Sequence, residues 1–421
     1  MKRLALPLFI FPSLFLIASP FLTAQGTSAI WRDFTAWKEP QNAERIPGWI
    51  LNLLVRDFRD VGGPAREELL AKTLSELKGI VSDTNIVPPT RYNAILAVGQ
   101  LVSKEGVAGV RLPEAYPAAL TTLVDLYQES ETPHYLQYGA LLGIVRHTVC
   151  GIAPAERDKV MDLLLETITT EYGVGDVPLS PNAAAPMEPA VWDWFRQTAL
   201  EGISALRTTG TENKIVSVLL SVINGKSLKL EFLCRSQETF TRDEREQTRR
   251  AIELASKAAK TLGDLDYKSG TDVDADAIAD TFIALVKAVC EATHKMAADS
   301  TIPMEQIVID IKTCLQSVVW GIRSGFLMAR QADHSLYASL KNEDPATKRL
   351  NMLMAEILEL SSFLDEGDKA NKPSSAAVLG EEANVLKKAF KFDLPALREA
   401  LAKSSQALAT MQRENQQQEN L

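Results

Sequence analysis

One pattern of nine residues occurs three times in this chain and constrains its fold more than any other feature. The copies are RYNAILAVG at 91–99, QYGALLGIV at 137–145 and RQTALEGIS at 196–204. They share Ala at the fourth position, Ile or Leu at the fifth, a small residue at the seventh and Val or Ile at the eighth. These positions lie on one side of an α-helix. The sequence therefore predicts three helices that bury the same face.

Each copy is preceded by another helix, so the predicted helices come in pairs. In the first of them, at 64–83, Leu70, Leu74, Leu77 and Val81 recur at helical spacing. The predicted pairs are 64–83 with 90–103, 113–130 with 134–149, and 153–173 with 189–207, followed by less regular helices at 211–224 and 242–263. Helix pairs that repeat along a chain are typical of an α-solenoid.

The repeated face resembles the second helix of HEAT-like repeats, a superfamily in which Arg, Ala and aliphatic residues follow one another along that helix. Arg91 and Ala94, followed by Leu96, Ala97 and Val98, match the pattern best. The resemblance covers about residues 64–263 and implies an α-solenoid. It implies transport, assembly or scaffolding roles rather than one function, because that fold serves all three. The chain is also similar to uncharacterised exported bacterial HEAT-like proteins.

A second group of helices is predicted at 275–415, where apolar stripes and short loops favour an antiparallel bundle. The predicted fold class is therefore all-α, with a HEAT-like α-solenoid of helix pairs at 64–268 followed by an antiparallel helical bundle. The Gly-, Pro- and Ala-rich loop 173–189 is predicted to interrupt the third pair. The aromatic-rich residues 25–63 are predicted to cap the repeats, and the polar end 416–421 to fray.

Residues 1–24 have the pattern of a secretory signal peptide. Lys2 and Arg3 precede an apolar stretch, and a cleavage point follows Ala24. The alternative is an uncleaved membrane anchor, although three prolines in the stretch would kink a spanning helix. We therefore expect an exported protein, periplasmic or extracellular, with membrane contact only if the segment stays attached.

The net charge of −9 excludes nucleic acid as the main ligand, because phosphate binding needs clustered Lys and Arg. The sequence favours another envelope or extracellular protein as the partner. It contains none of the short motifs of phosphate loops, zinc proteases or serine hydrolases. A paired-carboxylate enzyme leaves no short motif, so catalysis stays open, although we favour a non-catalytic protein that needs no cofactor.

Two side-chain groupings suggest a metal site only weakly. Asp272, Asp274 and Asp276 have the first spacings of a calcium loop, but its later turn glycine and bidentate Glu are missing. His147 and Cys150 are one helical turn apart without further zinc ligands nearby. We expect no bound metal, and we interpret the carboxylates as charges that favour the start of a helix near residue 275.

The cysteines leave two alternatives open. Cys290 and Cys314 flank a predicted turn near residue 301 at similar distances and lie on the apolar stripes of their helices. Across an antiparallel helix hairpin this spacing allows a disulfide. Two buried free thiols are the second interpretation.

The segment VWDWFRQ at 191–197 is the sharpest functional signal, because Trp and Arg dominate the binding energy of protein interfaces. Together with polar positions beside the buried stripes, it defines a predicted protein-binding face: Arg91, Gln100, Gln137, Arg146, His147, Trp192, Trp194 and Arg196. Packing of the helix start against its own loop is one alternative. A carbohydrate-binding or carbohydrate-active α/α protein, with Trp192-Asp193-Trp194 stacking a sugar, is the other.

Overall fold

We describe the protein from a computed structural model. The described residues are 63–107, 110–170, 187–224, 241–267, 273–297, 304–327, 336, 345–370 and 394–419. The chain divides into two compact units, Met1–Asn93 and Ala94–Leu421. Several predicted segments lie wholly or mostly outside the described residues: the signal peptide 1–24, the cap 25–63, the loop 173–189 and residues 371–393 of the predicted bundle.

The first unit contributes α1 (Gly63–Ser82) and the start of α2 (Pro88–Val98), a helix that runs across the division between the units. The stripe predicted for α1 is confirmed, because Leu70, Leu74, Leu77 and Val81 are all buried.

The second unit is built almost entirely of helices over its described ranges, which confirms the all-α class. Two short antiparallel strands come first, β1 (Val102–Lys104) and β2 (Glu114–Ala115). The helices are α3 (Pro117–Gln128), α4 (His134–Cys150), α5 (Pro154–Thr169), α6 (Pro189–Leu206), α7 (Lys214–Ile223), α8 (Arg242–Asp264), α9 (Ala275–Met296), α10 (Met304–Leu327), α11 (Pro345–Ala370) and α12 (Leu394–Glu419). None of the helices in these ranges combines the length and the apolarity that a membrane crossing requires.

The starts of these helices follow from local sequence. α3, α5 and α6 each have Pro in the first turn, where a missing N–H costs nothing. At α8, Thr241 Oγ1 accepts from the Glu244 backbone N–H at 3.2 Å, and the Glu244 carboxylate accepts from the Thr241 N–H at 2.9 Å. At α9, Asp274 accepts from the Ala277 N–H at 2.9 Å. Asp274 therefore caps a helix, as we interpreted it.

Consecutive even-numbered helices of the second unit pack side by side, α4 on α6, α6 on α8 and α8 on α10. The odd-numbered helices α3, α5, α7 and α9 each pack on the helix that follows them, and α5 contacts α7, which contacts α9. α11 and α12 pack on α9 and on each other. The predicted boundary at 268–275 therefore lies inside this unit, with α8 and α10 in contact across it.

The small seventh position of the repeated pattern lies where helices approach closely. A Cβ added to Gly143 would lie 2.8 Å from the Leu123 side chain and 3.2 Å from the Gly99 Cα. A Cβ added to Gly202 would lie 2.8 Å from the Leu164 side chain and 3.1 Å from the Val145 side chain. In both cases the glycine meets the first helix of its own pair and the segment that precedes that pair.

Several predicted boundaries differ from the structure, among them the start of the helix predicted at 113–130, which begins at Pro117 after β2. The helix predicted at 90–103 ends at Val98, and β1 follows, because Gly99 lies against the Gly143 backbone and two short turns close the helix. β1 and β2 form a hairpin, which an isolated bridge between Val107 and Arg111 extends. At the other end of the chain, α12 continues to Glu419, into the segment 416–421 that we expected to fray.

Candidate functional site

The first position of the repeated pattern binds carbonyl groups at the end of the preceding helix. Arg91 Nε donates to the Val81 carbonyl at 2.8 Å. Gln137 Nε2 donates to the Tyr127 and Glu129 carbonyls at 3.3 Å and 3.2 Å. The last turn of a helix leaves carbonyls without intrahelical donors, so these side chains act as carboxyl-terminal caps. Arg91 and Gln137 therefore have a structural role, and their role in binding a partner stays a prediction.

At the third copy of the pattern, two buried side chains donate to carbonyls at the end of the preceding helix. Arg196 is buried, and its Nε donates to the Ile168 carbonyl at 2.8 Å. Trp192 is also buried, and its Nε1 donates to the Thr170 carbonyl at 2.9 Å. Both side chains cap the end of α5. They are therefore not on the surface where the predicted binding face needed them. The alternative of packing against the loop 173–189 stays a prediction, because most of that loop lies outside the described residues.

The Trp192-Asp193-Trp194 platform is divided between two sides of α6. Trp192 stacks on Phe195 with ring centroids 5.6 Å apart, whereas Trp194 is 57% exposed. Asp193 pairs with Arg250 at 3.3 Å and lies 3.9 Å from Arg196. Burial raises the pKa of Asp193, and the two guanidinium groups oppose that rise. The three residues do not form one flat surface for a sugar.

The remaining residues of the predicted face are scattered. Arg146 is exposed, Gln100 is half-buried, and His147 is 0% exposed. The pKa of His147 is lowered to about 4, chiefly by burial and also by the charge on Arg146, while the Gly99 backbone partly opposes the change. His147 therefore belongs to the packed interior as a neutral imidazole. Trp194 and Arg146 are the two members of the predicted face that the structure exposes.

Substitutions at neighbouring positions of α6 should separate the structural residues from the exposed one. Arg196→Leu is expected to destabilise the fold by about 2 kcal/mol, because the α5 carbonyl loses its donor in a buried environment. Arg196→Gln should lose less, since Gln137 performs the same capping in α4. Trp194→Ala should stay within about 0.5 kcal/mol of the wild type. Urea unfolding measures all three, and equal losses for Arg196→Leu and Trp194→Ala would contradict the assignment.

Cys290 and Cys314 are buried free thiols in the structure, the second of the two alternatives. They lie on α9 and α10, which pack together. Burial raises the pKa of both thiols, to about 12 for Cys314. Neither thiol is therefore ionised near neutral pH. No group of His, Cys, Asp and Glu side chains that could hold a metal ion occurs among the described residues.

A cleft of about 620 Å³ lies at the carboxyl ends of α4, α6 and α8, and we call it the helix-end cleft. Leu112 of the hairpin and Val149 and Ile152 at the end of α4 form its apolar side. Leu112 is 66% exposed and Val149 is 51% exposed. The hairpin also carries Val110, which is 82% exposed. Large apolar side chains are thus exposed at the cleft and on the hairpin beside it, where water is a poor environment for them.

The polar side of the helix-end cleft comes from α5, α6 and α8. Arg157 donates to the Leu206 carbonyl and caps α6. Asp264 accepts from Ser204 Oγ at 2.6 Å and from Trp320 Nε1 at 2.7 Å. Glu201 is paired with Lys257, which lies outside the lining, at 2.6 Å. These groups are therefore already engaged within the protein.

Arg207 differs from the other charged groups of the helix-end cleft. It follows the last residue of α6 with φ 49° and ψ 46°, the left-handed region that a non-glycine residue adopts at a cost. Its side chain is exposed and makes no hydrogen bond or ion pair with any described residue. Among the described residues that line the cleft, Arg207 is thus the guanidinium that makes no hydrogen bond within the protein.

A smaller cleft of about 280 Å³ lies near the start of α6, and we call it the aromatic cleft. Tyr127, Trp192 and Phe195 line it together with Gln137 and Glu166. Tyr127 OH shares a 2.7 Å hydrogen bond with Thr167 Oγ1, and burial raises the pKa of Tyr127 to about 12. Its polar groups are mostly engaged in hydrogen bonds that hold α3, α4 and α5 together.

Sequence reasoning missed the helix-end cleft. Val149 lies off the apolar stripe of its helix, and an apolar residue at such a position was the one sequence feature that could have indicated the cleft. Arg207 stands where a helix that ends in the left-handed conformation usually has Gly, so nothing in the sequence marked it. Comparison of the chain with protein-family models, with curated proteins and with solved structures finds no match.

Proposed function

We propose that this chain is an exported, non-catalytic helical-repeat protein of the cell envelope that binds another protein. The repeated helix pairs would be HEAT-like, and those in the first part of the second unit would form an α-solenoid. Export rests on the pattern of residues 1–24 alone. The partner-binding surface is the helix-end cleft with its apolar hairpin, in place of the face built on Trp192 and Arg196.

The capping side chains support the helical-repeat part of this proposal. Arg91, Gln137 and Arg196 stand at the same position of the repeated pattern, and each binds carbonyls at the end of the preceding helix. Gly143 and Gly202 likewise make equivalent close contacts. Three copies that repeat both sequence and contacts are what a chain of stacked helix pairs requires.

One observation carries the binding part, namely the exposure of large apolar side chains around a concave surface. Leu112 and Val149 line the helix-end cleft and are more than half exposed, and Val110 extends the apolar area along the hairpin. Removing such side chains from water is favourable by about 25 cal/mol per Å². A partner that covers them would gain this energy, whereas scattered single apolar residues would offer little.

Capture of partners from the native host tests the proposal. Cross-linked wild type should recover a protein that is lost or strongly reduced with Val149→Ser and Leu112→Ser together. Ile309→Ser is the matched control, because Ile309 is 56% exposed on α10 and does not line the cleft. All variants should keep the wild-type unfolding temperature. Recovery of the same proteins by the double variant would refute this surface.

A carbohydrate-binding protein is the second candidate, and the aromatic cleft favours it. Aromatic rings with nearby amide and carboxylate groups are common in sugar sites. Against it, Trp192 and Gln137 already donate to backbone carbonyls. A glycan array probed with the full chain decides between the two candidates, and the absence of binding at millimolar ligand removes this one.

A further inference from the structure

The charged side chains of the helix-end cleft differ in whether the protein itself supplies them with a hydrogen-bond or ion-pair partner. Glu201 is paired with Lys257, and Asp264 receives two hydrogen bonds from Ser204 and Trp320. Arg157 donates one hydrogen bond to the Leu206 carbonyl at the end of α6. Arg207 has no partner among the described residues. The charged group that lacks a partner is therefore a cation, and the group that would pair with it is a carboxylate.

The backbone conformation of Arg207 is the second unusual property of this residue. Its left-handed conformation disfavours a side chain with a Cβ, and Gly or Asn is commoner at such a position. Non-glycine residues held in such conformations cluster at binding sites, where the constraint positions the side chain. Arg207 thus combines an unfavourable backbone with an unpaired charge at the edge of a cleft.

The apolar side of the cleft indicates which group a ligand should carry beside its carboxylate. Leu112 and Val149 are exposed next to Ile152, and all three line the same cleft as Arg207. An aliphatic side chain fits such a wall, whereas a small anion would leave it uncovered. The volume of about 620 Å³ is larger than one amino-acid side chain needs.

We infer that the helix-end cleft binds an extended segment of a partner protein in which an Asp or Glu side chain pairs with Arg207 and a nearby aliphatic side chain packs on Leu112 and Val149. This inference rests on the proposed protein-binding function and names the chemistry of the partner. The acidic side chain supplies selectivity, and the aliphatic side chain supplies most of the buried apolar area.

An array of heptapeptides with blocked ends tests it. One Glu and one Leu are moved through a Gly/Ser background, with Gln in place of Glu as the neutral series and with free carboxyl ends as a third series. The full chain should bind blocked peptides that carry both Glu and Leu, and fluorescence anisotropy should show about fivefold weaker binding when Gln replaces Glu.

Arg207→Asn is the decisive variant, because Asn tolerates the left-handed conformation and the fold should be kept. It should abolish the preference for Glu over Gln, while Lys159→Gln, which removes an exposed positive charge outside the lining, should keep it. An unchanged preference in Arg207→Asn overturns the inference. So does binding restricted to free carboxyl ends, or an array on which no peptide binds.

The two levels of the proposal fail separately. If partner capture depends on Val149 and Leu112 but peptides show no Glu preference, the acidic segment is wrong and the protein-binding function stands. If capture does not depend on those residues and no peptide binds, both are wrong.

Discussion

Replacing Gly263 by alanine is expected to destabilise the second unit by about 3 kcal/mol. A Cβ at this position would lie 2.3 Å from the Trp320 carbonyl oxygen and 2.8 Å from the Gly321 Cα. Both obstacles are backbone atoms of α10, so no side-chain rotation can relieve the clash. The helices would have to separate, and α8 and α10 would lose the packing of the side chains around the crossing.

Gly321→Ala should also destabilise the second unit, because Gly321 lies at the same crossing of α8 and α10. Its added Cβ would lie 2.4 Å from the Ala259 carbonyl oxygen and 2.9 Å from the Phe282 ring. Gly79→Ala is the control, since Gly79 lies in α1 with nothing within 4 Å of the added atom. Alanine is the better helix former, so this variant should gain up to about 1 kcal/mol. Urea unfolding compares the three, and a wild-type midpoint for Gly263→Ala would show that α8 and α10 do not cross so closely.

Local pattern predicted much of the fold because helix formation and face burial depend on nearby residues. The small seventh position was predicted to allow close approach, and Gly143 and Gly202 confirm it. The crossing of Gly263 with Gly321 was not predicted, because it joins positions 58 residues apart without a shared pattern. The hairpin was missed because its strands are only three and two residues long. Such short strands carry no usable alternation.

The structure buries Arg196 and His147 of the predicted binding face for a reason that the sequence itself contained. Arg196 lies four residues after Trp192 and three before Ala199, so it falls on the buried stripe of α6. His147 lies three residues after Ile144 and falls on the stripe of α4 in the same way. The residue types, Arg and His, suggested a binding surface. Their positions on the apolar stripes of α6 and α4 predict burial instead, and the structure buries both side chains. The helix-end cleft could not be predicted from the sequence, because it is formed by the ends of helices that only tertiary packing brings together.

His147 should make the stability of the second unit depend on pH. Its imidazole is fully buried, and burial lowers its pKa to about 4, against about 6.5 for an exposed histidine. Neither ring nitrogen makes a hydrogen bond of normal geometry. Between these two pKa values the unfolded chain binds a proton that the folded chain does not bind. Stability therefore rises with pH in this window, is complete above about pH 6.5 and is lost as pH falls to about 4.

The expected loss is about 3 kcal/mol, because each pKa unit corresponds to about 1.4 kcal/mol. Replacing His147 by leucine removes the titrating group and keeps an apolar side chain in the packed interior. The difference in the free energy of unfolding between wild type and His147→Leu should shift by this amount from pH 7 to pH 4. Asp193, whose raised pKa acts with the opposite sign, is present in both proteins and cancels in the difference. Val149→Ala, two positions away and exposed, should follow the wild-type profile. Parallel wild-type and His147→Leu profiles would mean that the folded state accommodates the charged imidazole, and that α4 opens around it more easily than its packing indicates.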